Sequence, residues 1–246
     1  MAHPFEVKGE IEIAATPEEV WDAITTGTGM DAWFMGTNEV ERRLGGKVRT
    51  KLPGFTMEST ITTWDPPHHF ADTSPEEPDG RVMAFDFEIE GRAGGRTLLR
   101  FVHSGFLPGD DWETEYDALR EGDPAYIFKV GEYLEHFKGR RPVPVSAFGP
   151  RVDRARAFEV FARELGVSPQ PKVGEPVRTT PSGLGPIEGV VDYVSPAFVG
   201  VRTSDAMLRF IHGFDGSIVL GHHLFNDVDP DAASQTWQAW VERVFA

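Results

Sequence analysis

Histidine offers the most chemistry in this sequence. There is no cysteine among the 246 residues, which removes thiolate nucleophiles, disulfides and thiolate-bound zinc or iron–sulfur clusters. Of the eight histidines, His103 stands at the end of an alternating segment, on the face shared by Thr97, Leu99 and Phe101. A neutral imidazole there could exchange a hydrogen bond with a ligand or act as acid or base. The same position also suits a histidine that ties a strand end to a loop. Spacing alone assigns it no carboxylate partner, so His103 is the sole catalytic candidate and its role stays open. His68-His69 and His222-His223 are neighbours in strand-like segments. Adjacent strand residues point to opposite faces, so neither pair can chelate one ion. There is also no H-E-x-x-H spacing, and no metal is expected. No nucleophile elbow, phosphate-binding Gly-Lys-Ser/Thr loop or dinucleotide fingerprint is present, and no cofactor is expected.

Charge narrows the partners. Lys and Arg number 24 against 39 Asp and Glu, a net charge of −15. That argues against nucleic acid or an anionic membrane, which need a positive surface. No apolar run approaches the ~18 residues of a bilayer span. The opening MAHPFEVKGE lacks the apolar core of a signal peptide. The expectation is an acidic, cytoplasmic protein without membrane insertion.

Certain elements must position His103. Phe5, Val7, Gly9, Ile11 and Ile13 alternate with charged residues, a half-buried strand. Thr16-Pro17-Glu18-Glu19 reads as a capping box with proline at the first helical position. Gly27 and Gly29 break that helix, and a second short one runs from Met30 to Phe34. From about Asn38 to Phe106 the signals are antiparallel hairpins. Asp123-Pro124 reads as the start of a long helix, with Ile127, Val130, Leu134 and Phe137 on its buried face and Gly139 as its stop. Asp110 to Asp117 reads as an acidic loop. Residues 141–150, rich in proline, read as a linker.

The second half echoes the first. Gly46–Thr50 has its counterpart 129 residues later in Glu175–Thr179, and at the same offset Gly54 meets Gly183 and Trp64 meets Tyr193. Asp229-Pro230 opens a last helix as Asp123-Pro124 does, and His223 takes the spot matching His103. Phe5–Ile13 has no visible counterpart, so the second copy is read as lacking its first strand. The expected organisation is a domain over 1–140, the linker, and a partial copy over 151–246.

The stretches "ATPEEVWDAIT…MDAWF", "TTWDPP", "GGRTLLRFVHSGF" and "YLEHFKG" resemble the START-like, polyketide-cyclase-like superfamily (SRPBCC). The branch is the one named after the activator of heat-shock protein 90 ATPase. The resemblance covers about residues 5 to 139. It implies an α+β helix-grip fold, an antiparallel sheet wrapped on a long C-terminal helix with an apolar cavity between them, followed by a truncated second copy. It further implies that Phe85, Phe87, Leu99, Phe101 and His103 face Ile127 and Val130 of the helix, with His103 and Tyr126 as polar handles and Trp33 near the cavity mouth. These residues either line a ligand site or fill the core.

Three functions compete. One is binding of a hydrophobic small molecule, such as a lipid or polyketide. Another is a cyclase, dehydratase or isomerase using His103. The third is a co-chaperone-like module with a protein partner, which rests on the family name.

Overall fold

Strict alternation builds the first strand, β1 (His3–Ile13): Phe5, Val7 and Ile13 are buried, while Glu6, Lys8 and Glu12 stay exposed. In the computed structural model, which describes residues 2–52 and 54–246, β1 begins a first unit ending at Gly139. A second unit runs from Arg140 to Ala246.

In the first unit the capping box forms as the sequence predicts. Thr16 accepts from the Glu19 N–H, Glu19 accepts from the Thr16 N–H, and α1 (Pro17–Thr25) follows. The next helical turn, α2 (Gly27–Met30), comes earlier than predicted and contains both glycines. Its first donors are met by the Thr26 hydroxyl, which accepts from the Gly29 N–H. Six strands then succeed one another: β2 (Thr37–Val40), β3 (Lys47–Leu52), β4 (Phe55–Asp65), β5 (His69–Thr73), β6 (Val82–Arg92) and β7 (Arg96–Leu107). With β1 they form one antiparallel sheet in the order β1-β7-β6-β5-β4-β3-β2. The long helix α3 (Trp112–Glu132) ends in a π-turn, Tyr133–Phe137, and packs on β1 and β7. Ile127, Val130 and Leu134 enter the core it shares with Phe87, Leu99 and Phe101.

Here the structure corrects the reading of α3. Its first turn lies at Trp112, eleven residues before the expected cap, and Pro124 sits inside it. The acidic stretch expected as loop is therefore helical from Trp112 onward. Contacts to the sheet hold these polar turns. Trp112 stacks on His3 at 4.9 Å, Glu115 takes the Arg81 guanidinium, and the Tyr116 hydroxyl donates to the Glu6 carbonyl. Asp123 is consequently not a cap, and its carboxylate is free for the interior.

Gly9 faces the same core. A Cβ there would lie 2.3 Å from Cε1 of Phe101, its partner across β1 and β7. The aromatic ring occupies the space a side chain would need.

The second unit repeats this plan. Its strands are β8 (Val143–Arg151), β9 (Pro176–Thr179), β10 (Ile187–Val194), β11 (Phe198–Thr203), β12 (Ala206–His212) and β13 (Ser217–Leu224), ordered β8-β13-β12-β11-β10-β9. Its helices are α4 (Arg154–Leu165), capped by Asp153 and closed by Gly166 in the left-handed region, and α5 (Pro230–Val244), capped by Asp229. The expected linker is thus largely strand β8, which pairs with β13 as β1 pairs with β7. Its prolines misled the reading. β8 is an edge strand with a ladder on one side only, a place where proline is tolerated. The second copy keeps its first strand. What it lacks is a counterpart of β2 and of α2. Among the described residues no helix is long and apolar enough to cross a membrane.

Candidate functional site

Cross-strand register sets one row of side chains on the inner face of the first sheet. Val7 lies opposite His103, His103 opposite Phe85, Phe85 opposite Asp72, and Asp72 opposite Ile61. Period two along each strand keeps all five on the face that meets α3. Two of the five are polar and buried: His103 is 4% exposed and Asp72 7%.

His103 lies among rings and acids. Phe85 stacks on it at 4.0 Å with an interplanar angle of 19°, and Phe5 meets it edge-on at 5.1 Å. From α3, Oδ2 of Asp123 stands 2.8 Å from Nδ1. We assign the Nδ1 proton to that contact, since an ionised carboxylate can only accept. In the neutral ring Nε2 then carries a lone pair. That atom is buried and has no hydrogen-bond partner among the described residues. Buried polar atoms are rarely left so.

Burial makes the neighbouring acid a weaker one. It pushes the Asp72 carboxyl from 3.8 to about 6, outweighing a hydrogen bond from Ser59 and the pull that the His103 ring exerts when protonated. Asp72 forms no ion pair with Lys or Arg among the described residues. Tyr126, one turn beyond Asp123, is pushed up to about 12, by burial first and then by the Asp123 charge. Phe34 packs on both Tyr126 (5.6 Å) and Phe85 (6.4 Å), and Trp33 on Phe34 (5.4 Å).

The expected site residues therefore fall into two groups. Phe85 stacks on His103, and Tyr126 and Trp33 are both linked to Phe85 through Phe34. Phe87, Leu99, Phe101 and Val130 are buried packing residues of the same core. Leu99 is four residues from His103, about 13 Å along the strand. Trp33 spends its indole N–H on the Ala23 carbonyl at 2.9 Å, and Thr97 its hydroxyl on Ala15 at 2.7 Å. An open depression lies on the other face of the sheet, lined by Lys8, Glu10, Asp86, Glu88 and Arg100 among others. Arg100 pairs there with Glu10 and Glu88, and the surface is a solvated charge ladder.

Sequence reading missed Asp72 and Asp123. Both carried a signal. Asp72 shares strand parity with buried Phe70, and Asp123 precedes Ile127 and Val130 by four and seven, the spacing of one helix face. Among the described residues no cluster of three or more His, Asp or Glu could hold a metal ion.

The second unit revises the matching histidine. His222, not His223, faces that unit's core: it shares parity with buried Ile218 and Leu220 and lies 4.2 Å from the Trp237 ring.

Residues 14–135 match the family model described as "Activator of Hsp90 ATPase homolog 1-like protein". No curated protein matches the chain. Among solved structures, MLL2253 from Mesorhizobium loti is similar at 22% identity with a TM-score of 0.48, over 55% of this chain and 99% of that one. The solution structure of the Aha1 dimer from Colwellia psychrerythraea is similar at 20% identity and a TM-score of 0.46, over 55% and 99%. DynU16, from the dynemicin biosynthetic locus, is similar at 16% identity and a TM-score of 0.47, over 98% of this chain and 95% of its own.

Proposed function

Because the first unit belongs to the Activator of Hsp90 ATPase homolog 1-like family, within the START-like superfamily, we propose that it binds a small, largely apolar molecule beside His103. The observation that carries this is the orphaned Nε2 of His103, buried next to Phe85 in an otherwise aromatic setting. A ligand offering one hydrogen-bond donor would satisfy that atom and bury its apolar body against Phe34, Phe85 and Tyr126. Sites of this kind are mostly apolar with a few fixed polar groups. Each well-buried apolar contact is worth about 1.5–3 kcal/mol, and micromolar binding needs about 8 kcal/mol after association costs. Three or four such contacts suffice.

The His103–Asp123 contact favours a second reading, acid–base catalysis on the bound molecule. A carboxylate on Nδ1 fixes the ring and its tautomer and leaves Nε2 to take a proton.

Titration with the dye 1-anilinonaphthalene-8-sulfonate tests the binding reading. The native protein should enhance its fluorescence with micromolar affinity. Phe85→Asp should abolish this, while Glu88→Gln, on the outer face, should leave it unchanged. Equal dye binding by all three proteins would remove the reading.

A further inference from the structure

The two units share one construction, so each can be read against the other. In the second unit the row matching Val7, His103, Phe85, Asp72 and Ile61 is Val145, His222, Leu208, Val201 and Val191. Val145 lies opposite His222, and Val201 lies opposite both Leu208 and Val191. The pairs Met207 with His223 and Phe210 with Leu220 set Leu208 opposite His222. The correspondence is fixed independently by an irregularity in the same place. Register shifts between Ile61 and Thr63 in β4, and between Val191 and Tyr193 in β10. In the second unit all five positions are buried, and four of them are apolar.

Valine at the position of Asp72 and leucine at that of Phe85 therefore build the same sheet. Trp237 of α5 lies against the histidine. Folding alone does not require the first unit to bury an acid. A buried carboxyl with no cation beside it costs stability even with a hydrogen bond from Ser59, and a valine would suit the strand better. The first unit holds Asp72 at that cost, two strands away from an unsatisfied imidazole nitrogen. The two backbones are about 10 Å apart, with Phe85 between them.

We propose that Asp72 and His103 form a donor–acceptor pair across Phe85, selecting an aromatic molecule that carries both a hydroxyl and a carbonyl group, with Asp123 as the residue that positions the imidazole. The hydroxyl donates to Nε2, and the carbonyl accepts from the Asp72 carboxyl, which keeps its proton below about pH 6. The aromatic body packs on Phe34, Phe85 and Tyr126. This assignment rests on the reading of the first unit as a small-molecule site and adds the chemistry of what it selects.

Three fluorescent probes test it on the full chain at pH 5, where Asp72 carries its proton: 6-acetyl-2-naphthol, which has both groups, 2-naphthol, which lacks the carbonyl, and 2-acetylnaphthalene, which lacks the hydroxyl. The first should bind about 3- to 10-fold more tightly than either of the others, the worth of one neutral hydrogen bond. Asp72→Val should bring 6-acetyl-2-naphthol down to the affinity of 2-naphthol and leave 2-naphthol unaffected. His103→Asn keeps a donor for Asp123 but removes Nε2, and should bring it down to the affinity of 2-acetylnaphthalene. Asp72→Val should also raise the melting temperature, which a structural role for Asp72 would not allow. A lower melting temperature for Asp72→Val overturns the assignment whatever the probes do. Equal affinity for the three probes, or binding of none, overturns it too. Retained binding of 1-anilinonaphthalene-8-sulfonate in that case would leave the broader reading standing, and loss of that dye as well would remove both.

Discussion

A carboxyl buried without a cation makes stability depend on pH in an unusual direction. The Asp72 carboxyl holds its proton up to about 6 in the folded chain, against 3.8 for a free side chain. Between those values the unfolded chain releases a proton that the folded chain retains, so stability falls as pH rises. The whole difference is on the order of 3 kcal/mol and is nearly complete by about pH 7. Groups such as Asp215, held down to about 2 mainly by Ser217, act oppositely and only in stronger acid. Urea denaturation should therefore show Asp72→Val gaining on the natural protein as pH rises from 4 to 7, and a flat difference would deny the burial penalty. At Asp123 the readout is spectroscopic. In ¹⁵N spectra, Asp123→Ala should release the His103 ring from its single tautomer, while Asp117→Ala, on the exposed side of α3, should not. His103 was legible because an alternating strand shows its parity. Its two acids were not, since an acid at a core position contradicts the pattern by which core positions are recognised.

At the scale of elements, local signals were strongest where one motif decides. The Thr16 capping box and the helix start at Asp229-Pro230 both formed as read. They failed where tertiary contact overrides local chemistry. Asp123-Pro124 looks like a helix start, but Trp112, Glu115 and Tyr116 are already clamped to the sheet, and the helix passes through the proline. Likewise the prolines of β8 look like a linker until one knows that it is an edge. The contact between β1 and β7 allows a sharper test. Gly9→Ala forces a Cβ into the Phe101 ring, and overpacking of this kind costs about 1–3 kcal/mol. Phe101→Leu added to it should return part of that loss. Chemical denaturation of the single and double variants measures the coupling, and strictly additive effects would show that the ring and the glycine do not share that space.

For the whole chain, the two units share an architecture and differ in the row of side chains facing each core. Both sheets run from a long first strand to a four-residue edge, β2 in one and β9 in the other. The repeat was visible in sequence at an offset of 129 residues, and Val201 stands at that same offset from Asp72. Its extent was misjudged, because the lost strand lies at the far edge and not at the start. Only the first unit has an acid in this row, so native mass spectrometry with 6-acetyl-2-naphthol should find one molecule bound per chain. Two bound molecules would mean that the apolar row around His222 also accepts ligand.

Gly9 and Phe101 carry a further consequence, one of inheritance. A glycine that exists to admit a ring cannot drift on its own, and neither can the ring grow. Among descendants of the same ancestor the two positions should change as a couple. Chains with a side chain at the first should show a smaller residue at the second, and chains that keep the glycine should keep an aromatic.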